Sequence, residues 1–330
     1  MENFLKPRIC FVGAGSIAPF HISAARGAGF ELYTICAKPN SIRAKKLFEK
    51  YNFNYYLENL EEIQKFKPDA VAILSNTQNL MRIYKQLHPL SIPILIEKPV
   101  VESVYEFPEN IDLDHKKTIV GYNRRFYSSI QFVKANLGDL NQVHSSWIIS
   151  ELSTYQESSI SEKIRALREN SVHVFDLLLY LFGSVKNITV ERDPIISKST
   201  GISALVKFNS GATASLNVSF NIPNLYEAKI FVPHRVFNLK PIENLFEFSK
   251  IQVTEPINEN GSREYKADGP VWKMDKVDSQ FKPGFYQQYE ELKRLIFEIP
   301  CNIGASLRDA KAALQFAEAL LDREYKQYSD

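Results

Sequence analysis

The chain has 330 residues, 45% of them hydrophobic and 24% charged, and this length and composition are typical of a globular protein with two domains. Its 40 basic and 38 acidic residues leave a net charge of +2, which argues against nucleic acid as a partner. No apolar run approaches the roughly 20 residues of a membrane span, and no signal peptide is recognisable, so we expect neither a membrane partner nor secretion.

The three cysteines are scattered along the sequence at Cys10, Cys36 and Cys301. An odd number without short spacings, with two members inside apolar runs, predicts reduced thiols in a cytoplasmic protein. No two histidines or cysteines stand at the spacing of metal ligands, so we expect no metal site.

The first 120 residues alternate short apolar runs with helical stretches. Strands are predicted at Ile9–Val12, Leu32–Ala37, Ala70–Leu74, Pro93–Ile96 and Thr118–Val120. Apolar strands separated by helices are typical of a parallel sheet that is covered on both faces. The predicted fold class is therefore α/β, beginning with an N-terminal parallel sheet.

After residue 120 the pattern changes to helices mixed with alternating strands. The spacing predicts one helix over residues 162–182 and a closing helix over 306–323. Two strands within 202–222 are joined by Asn209-Ser210-Gly211, a typical hairpin turn. These features predict a C-terminal α+β domain with an open, mostly antiparallel sheet. The expected domains are residues 1–120 and residues 121–330.

A glycine-containing segment, Gly13-Ala14-Gly15-Ser16-Ile17-Ala18, follows the first predicted strand and opens a helix. In a dinucleotide site, the first glycine permits the tight turn and the second lets the pyrophosphate approach the backbone, while a small third residue allows close helix packing. The pyrophosphate would lie at the helix N-terminus. We therefore expect Gly13, Gly15, Ser16 and Ile17 to contact a dinucleotide, although a structural turn without a ligand is an alternative.

The end of the second strand bears on the choice of cofactor. An acidic residue there would bind the ribose 2′-hydroxyl of NAD, but this sequence has Ala37, followed by Lys38 and Arg43. Two cations could bind the 2′-phosphate of NADP. NADP is therefore preferred over NAD, unless these side chains are ordinary solvated charges.

A lysine and a helical histidine are candidates for acid–base chemistry. Lys98 follows the strand predicted near residue 96, at the edge where α/β folds bind their ligands. A lysine whose pKa is lowered can collect the hydroxyl proton during hydride transfer. Glu169, His173 and Asp176 form a polar stripe at three- and four-residue spacing on a mostly apolar helix. Such a stripe must face polar partners or a wet cavity, and either carboxylate could orient the imidazole.

Several motifs together resemble one enzyme family. Glu97-Lys98-Pro99, with the glycine turn, resembles the glucose-fructose oxidoreductase and inositol 2-dehydrogenase (Gfo/Idh/MocA) family, and three further segments match that family in order: Ser75-Asn76-Thr77, Gly121–Phe126 and His173–Leu178. The resemblance implies a Rossmann domain and a C-terminal domain whose open sheet faces the nicotinamide. It also implies a homodimer or homotetramer that oxidises or reduces a sugar, polyol or sugar nucleotide.

Motif positions in that family suggest a role for each candidate residue. Lys98 and His173 would be catalytic, with Glu169 orienting His173; Glu169 stands where the family commonly has an aspartate, so the substrate pocket would differ in shape. The residues expected to contact the cofactor are Ser75, Asn76, Thr77, Glu97 and Lys98, and those expected to bind substrate are Tyr122, Arg124 and Asp176. The adjacent Arg124 and Arg125 could instead form an interdomain salt bridge.

The leading hypothesis is an NAD(P)-dependent dehydrogenase or reductase acting on the CH–OH group of a sugar-type substrate. One alternative is a regulator or scaffold that binds a dinucleotide without turnover. The other is a reductase of a non-sugar substrate, because the same fold hosts several chemistries.

Overall fold

The structure is a computed structural model that describes residues 6–151, 159–192, 200–256, 261–272 and 276–321. Two compact units can be distinguished. The first takes in the described residues of Met1–Tyr127 and Lys276–Gln315, and the second those of Ser128–Asp275 and Phe316–Asp330. The units are not separated by one boundary after residue 120, because a segment near the C-terminus packs with the N-terminal residues.

The described strands are β1 (Arg8–Val12), β2 (Glu31–Cys36), β3 (Tyr55–Leu57), β4 (Ala70–Ile73), β5 (Ile94–Ile96), β6 (Thr118–Val120), β7 (His144–Glu151), β8 (Val185–Arg192), β9 (Gly201–Phe208), β10 (Thr213–Phe220), β11 (Glu227–Val232), β12 (Arg235–Leu239), β13 (Leu245–Phe248), β14 (Lys250–Thr254), β15 (Glu264–Asp268) and β16 (Val271–Trp272). The described α-helices are α1 (Ala18–Gly27), α2 (Ile42–Tyr51), α3 (Ile63–Phe66), α4 (Thr77–Leu87), α5 (Ser128–Ala135), α6 (Ile160–Ala166), α7 (Val172–Phe182), α8 (Lys276–Gln280), α9 (Phe285–Ile296) and α10 (Leu307–Leu321).

The first unit contains a six-stranded sheet in the order β3-β2-β1-β4-β5-β6. Every neighbouring pair is parallel. The strand order reverses between β1 and β4, and a doubly wound sheet binds its ligand outside the carboxyl ends of the strands at this point. The predicted N-terminal Rossmann sheet is thus confirmed.

Residue patterns explain why these segments form a covered sheet. β4 and β5 are buried along their whole length, as expected for strands that have helices on both faces. Helix α9 also supplies this core, since Phe285, Tyr289 and Leu292 pack in one apolar cluster with Ile9 and Phe11 of β1. The C-terminal segment therefore completes the core of the six-stranded parallel sheet.

The second unit contains an eight-stranded sheet in the order β16-β13-β12-β11-β7-β10-β9-β8. β7 and β10 are parallel, and the other neighbouring pairs are antiparallel. Buried and solvent-facing residues alternate along β9 and β10, so one face of the sheet forms the core and the other is open. The predicted open, mostly antiparallel sheet is confirmed, and so is its hairpin, which turns at Gly211 with φ +93°.

The helix predicted over residues 162–182 runs without a break from Ile160 to Phe182, but its middle segment is π-helical. Helix α6 is followed by a π-helical turn over Leu167–Ser171, and α7 begins at Val172. In this turn Ser171 Oγ donates to Glu151 Oε1 at 2.7 Å, and Asn170 Nδ2 donates to Glu151 Oε2 at 3.3 Å. These bonds join the turn to the buried end of β7, a tertiary interaction that helical periodicity does not contain.

Candidate functional site

The turn after β1 has a backbone that only glycine fits well. Gly13 has φ +107°, and a Cβ on it would lie 2.7 Å from the carbonyl oxygen of Leu74. Its N–H donates to Cys36 O at 2.9 Å. A Cβ on Gly15 would come no closer than 3.7 Å to Leu74 O. Gly13 is therefore required by the fold itself, whereas Gly15 leaves open space beside the turn.

Helix α1 begins directly after this turn. Its N-cap residue Ile17 makes no side-chain hydrogen bond to the helix, while Ala18 N donates to Gly15 O and Phe20 N to Ile17 O, each at 3.1 Å. Ala18 is fully buried, as expected for the small residue that lets the helix approach the strand. An uncapped helix start beside two glycines is suited to an anionic group such as a pyrophosphate.

A cleft of about 1190 Å³ opens at the carboxyl ends of β1, β2 and β4. Among its lining residues are eight that the sequence predicts as cofactor contacts: Gly13, Gly15, Ser16, Ile17, Lys38, Arg43, Ser75 and Asn76. Three other predicted contacts, Thr77, Glu97 and Lys98, are not among the lining residues. The glycine cradle, the helix start and the size of the cleft fit a dinucleotide.

One end of the cleft contains charges of both signs. Lys38 and Arg43 are exposed there, and Arg43 lies in the first turn of α2, which Ser41 caps through its Oγ at 3.3 Å from Ala44 N. The carboxylate of Glu58 also lines the cleft and accepts the N–H of Asn40 at 2.9 Å. No acidic residue replaces Ala37 at the end of β2, but Glu58 brings a carboxylate to the same region from a different loop.

The edge of the sheet places the lysine near the level of the glycine turn. Val12, Ile73 and Ile96 are aligned across β1, β4 and β5. The hydrogen-bond ladder continues beyond them, since Leu74 N donates to Val12 O at 2.7 Å and Glu97 N donates to Ile73 O at 3.0 Å. Lys98, the next residue, is partly exposed, and its peptide bond to Pro99 is cis.

Glu97 is buried and ionised. Its Oε1 lies 2.9 Å from His21 Nε2, and His21 Nδ1 lies 3.0 Å from the hydroxyl of Tyr289. Burial by itself would raise the pKa of Glu97, but the bond to His21 and the charges of His21, Lys98 and Lys282 outweigh it, so that the pKa lies below its ordinary value. The lowered pKa favours the ionised carboxylate at the residue before Lys98.

The segment after β6 packs within the first unit. Tyr122 is fully buried, and Asn123 Nδ2 donates to Pro283 O at 2.9 Å. Arg125 is buried and forms an ion pair with Asp309 at 3.3 Å. Both partners belong to the first unit, so this ion pair lies within that unit. The substrate contact predicted for the adjacent Arg124 stays a prediction.

The polar stripe on α7 lies in the second unit. His173 and Glu169 are partly exposed, with Glu169 in the π-helical turn, whereas Asp176 is fully buried. The predicted substrate contact of Asp176 stays a prediction. The predicted catalytic roles of His173 and Glu169 stay predictions.

The described residues contain neither a candidate membrane span nor a candidate metal cluster. None of the helices there has both the length and the apolar character needed to cross a membrane. In the same parts of the chain, His, Cys, Asp and Glu side chains do not gather in groups of three or more that could hold a metal ion.

Residues 7–123 match the model of an oxidoreductase family with an NAD-binding Rossmann fold, Gfo/Idh/MocA. This part of the chain is a Gfo/Idh/MocA domain. The resemblance that the motifs indicated is confirmed for these residues. A sequence comparison with curated proteins gives no match.

Solved structures share the fold of nearly the whole chain. UDP-N-acetylglucosamine 3-dehydrogenase from Acidithiobacillus ferrooxidans is 17% identical, with 96% of this chain and 97% of that one covered and a TM-score of 0.71. An oxidoreductase from Agrobacterium radiobacter, solved with NAD⁺, L-tartaric acid and magnesium, is 16% identical, with 96% of each chain covered and a TM-score of 0.70. A dehydrogenase from Clostridium difficile is 20% identical, with 96% and 98% covered and a TM-score of 0.71.

Reasoning from the Gfo/Idh/MocA motifs missed two groups of side chains. The first is Glu58 with Asn40 in the cleft, and the second is His21 with Tyr289 beside Glu97. His21 lies in α1, the helix after the glycine turn. A histidine among the apolar residues of this helix was the only indication in the sequence that it has buried polar partners. Nothing in the sequence indicates its partners, which are 76 and 268 residues away.

Proposed function

We propose that the protein is a dehydrogenase or reductase that transfers a hydride between NADP, or NAD, and a secondary alcohol or ketone of a sugar, polyol or sugar nucleotide. The observation that carries this proposal is the arrangement at the sheet edge, where Lys98 follows β5 at the same edge as the glycine turn after β1, with β4 between the two strands. A base at this edge is in the region where α/β folds bind their reactants.

The chemistry assigned to the protein is proton transfer and orientation, while the bound dinucleotide supplies the hydride acceptor or donor. Lys98 takes the hydroxyl proton during oxidation and returns it during reduction. His173 assists as a second acid–base group, and Glu169 orients its ring. Tyr122, Arg124 and Asp176 remain the proposed substrate-binding set, with Arg124 suited to an anionic substrate group.

The preference for NADP rests on Lys38, Arg43 and the absence of an acidic residue at position 37. Cationic side chains pair strongly with phosphate oxygens. Removing either cation is expected to weaken NADPH binding about tenfold and to change NADH binding less than about twofold. Fluorescence titration of Lys38→Ala and Arg43→Ala with both nucleotides measures this effect.

Lys46→Ala is the matched control, because Lys46 is exposed on α2, the helix that contains Arg43, but is not among the cleft-lining residues. Tighter binding of NADH than of NADPH to the unmodified protein would overturn the NADP preference and leave the oxidoreductase proposal standing. Failure of both nucleotides to bind would overturn the oxidoreductase proposal itself.

Glu58 provides an independent test of where the 2′-phosphate lies. Its carboxylate would repel a phosphate held by Lys38 and Arg43, so Glu58→Gln, which keeps an acceptor for Asn40 N–H, is expected to tighten NADPH binding about threefold. NADH affinity should be unchanged. Isothermal titration calorimetry at low and high salt checks this, since the gain must shrink as salt screens the charges. An equal gain for both nucleotides would place the 2′-phosphate elsewhere.

The substrate class is proposed from the family and from the names of similar structures, one of which is a UDP-N-acetylglucosamine dehydrogenase. A panel containing UDP-N-acetylglucosamine, myo-inositol, glucose and L-tartrate, followed by absorbance of the reduced nicotinamide, tests it. Turnover of a polyhydroxylated compound supports the class.

The proposed homodimer or homotetramer would use the open face of the eight-stranded sheet, where Leu205 and Phe231 are exposed.

A further inference from the structure

A row of three buried polar side chains crosses the core of the first unit behind Lys98. Tyr289 from α9 and His21 from α1 are both fully buried. The Tyr289 hydroxyl lies 3.0 Å from His21 Nδ1, and His21 Nε2 lies 2.9 Å from Glu97 Oε1. The row therefore connects two helices to the residue that precedes Lys98.

The protons of this row can be assigned from its chemistry. An ionised carboxylate only accepts hydrogen bonds, so the Nε2–H of His21 must donate to Glu97. In the neutral imidazole, Nδ1 then accepts the O–H of Tyr289, and in the protonated ring it donates to that oxygen. In either state Nε2 keeps its proton, and Glu97 keeps its charge.

The carboxylate of Glu97 fills the space beside Gly121 that a side chain at that position would need. A Cβ on Gly121, the residue after β6, would lie 2.8 Å from Glu97 Oε1. The ring of His21 is packed against Phe285, with ring centroids 4.3 Å apart. Packing on both sides and hydrogen bonding along the row therefore hold this charge in one place.

The charges that face Glu97 are those of Lys98 and Lys282 in addition to His21. Burial and the positive charge of Arg124 lower the pKa of Lys282, whereas the charge of Glu97 raises it. A buried carboxylate that loses its hydrogen-bond donor takes up a proton rather than remain unpaired. The neighbouring ammonium groups would then lose a stabilising negative charge.

We propose that His21 and Tyr289 are positioning residues that keep Glu97 ionised and fixed, and thereby set the charge and orientation of Lys98. The proposal rests on the proposed catalytic role of Lys98. His21 and Tyr289 act through Glu97, so neither needs to touch substrate or cofactor.

The test measures the reactivity of the Lys98 amine without a substrate. Protein is labelled with acetic anhydride between pH 6 and 11, and the extent of labelling at each lysine is read by mass spectrometry. In His21→Phe, the midpoint of the Lys98 labelling curve is expected to move down by about half to one pH unit, because the Glu97 carboxylate is no longer held in place beside Lys98. In His21→Gln, whose amide can donate to Glu97 and accept from Tyr289, the midpoint should return close to the original value.

Exposed Lys46 is the internal control, and its labelling curve should be the same in every variant. An unchanged Lys98 midpoint in a folded His21→Phe protein would overturn the proposal. If His21→Phe does not fold, Tyr289→Phe takes its place, because it removes the hydrogen bond at the other end of the row. An unchanged Lys98 midpoint in a folded Tyr289→Phe protein would then overturn the proposal.

Failure of the proposed function has a different signature. NADPH titration and the turnover of Lys98→Met report on that function directly. A protein that binds no dinucleotide, yet shows the shifted Lys98 midpoint in His21→Phe, would retain the buried row and lose the oxidoreductase assignment. A protein that binds NADPH but shows no shift would retain the assignment and lose the proposed role of the row.

Discussion

Gly15→Ala is expected to leave the fold intact and to weaken dinucleotide binding at least about tenfold. The added methyl group would meet Leu74 O at 3.7 Å, an ordinary contact, and the backbone at this position is not in the left-handed region. The protein itself therefore tolerates the change. The methyl group occupies the space through which the pyrophosphate must approach the turn, so nucleotide affinity alone should fall.

Gly13→Ala is the matched comparison and should behave in the opposite way. Its Cβ would overlap Leu74 O at 2.7 Å, on a backbone with φ +107°. Strain of this kind costs about 1–3 kcal/mol, which corresponds to a fall in Tm of about 2 °C or more. Thermal melts and NADPH titrations of both variants separate the effects. Equal nucleotide affinity in Gly15→Ala and the unmodified protein would mean that the dinucleotide does not lie on this turn.

Lys98→Met is expected to lower kcat by about 1000-fold while nucleotide affinity changes by less than about threefold. Methionine keeps most of the length of the side chain and removes the amine that exchanges the proton. Glu97 would then face one cation fewer. Stopped-flow measurement of hydride transfer, with whichever compound of the substrate panel is turned over, compares the variant with the unmodified protein.

Lys46→Met controls for the loss of a positive charge, since Lys46 is exposed on α2. A similar loss of kcat in that variant would point to a general electrostatic effect. Retention of more than about a tenth of the activity in Lys98→Met would remove Lys98 from the acid–base role, because a positioned proton donor contributes at least about 100-fold. His173 would then become the first candidate.

The sequence by itself determined the features that depend on neighbouring residues. Continuous apolar runs predicted β1, β4 and β5 because a strand covered on both faces has no polar side. The glycine spacing predicted the turn at Gly13, since its positive φ excludes most side chains. Alternation predicted the open sheet of the second unit, and Asn209-Ser210-Gly211 predicted its hairpin. Eight of the cofactor contacts predicted from the sequence line the cleft.

Only the tertiary structure decided what depends on residues far apart in the chain. Helix α9 packs into the first unit although it follows the residues of the second sheet, because Phe285 and Tyr289 find their apolar partners on β1. Glu58, in a neighbouring loop, accepts the N–H of Asn40. Ser171, at the end of the π-helical turn, donates to Glu151 on β7. His21 meets Glu97 for the same reason: burial of a polar group demands a partner, but the sequence does not state which distant residue supplies it.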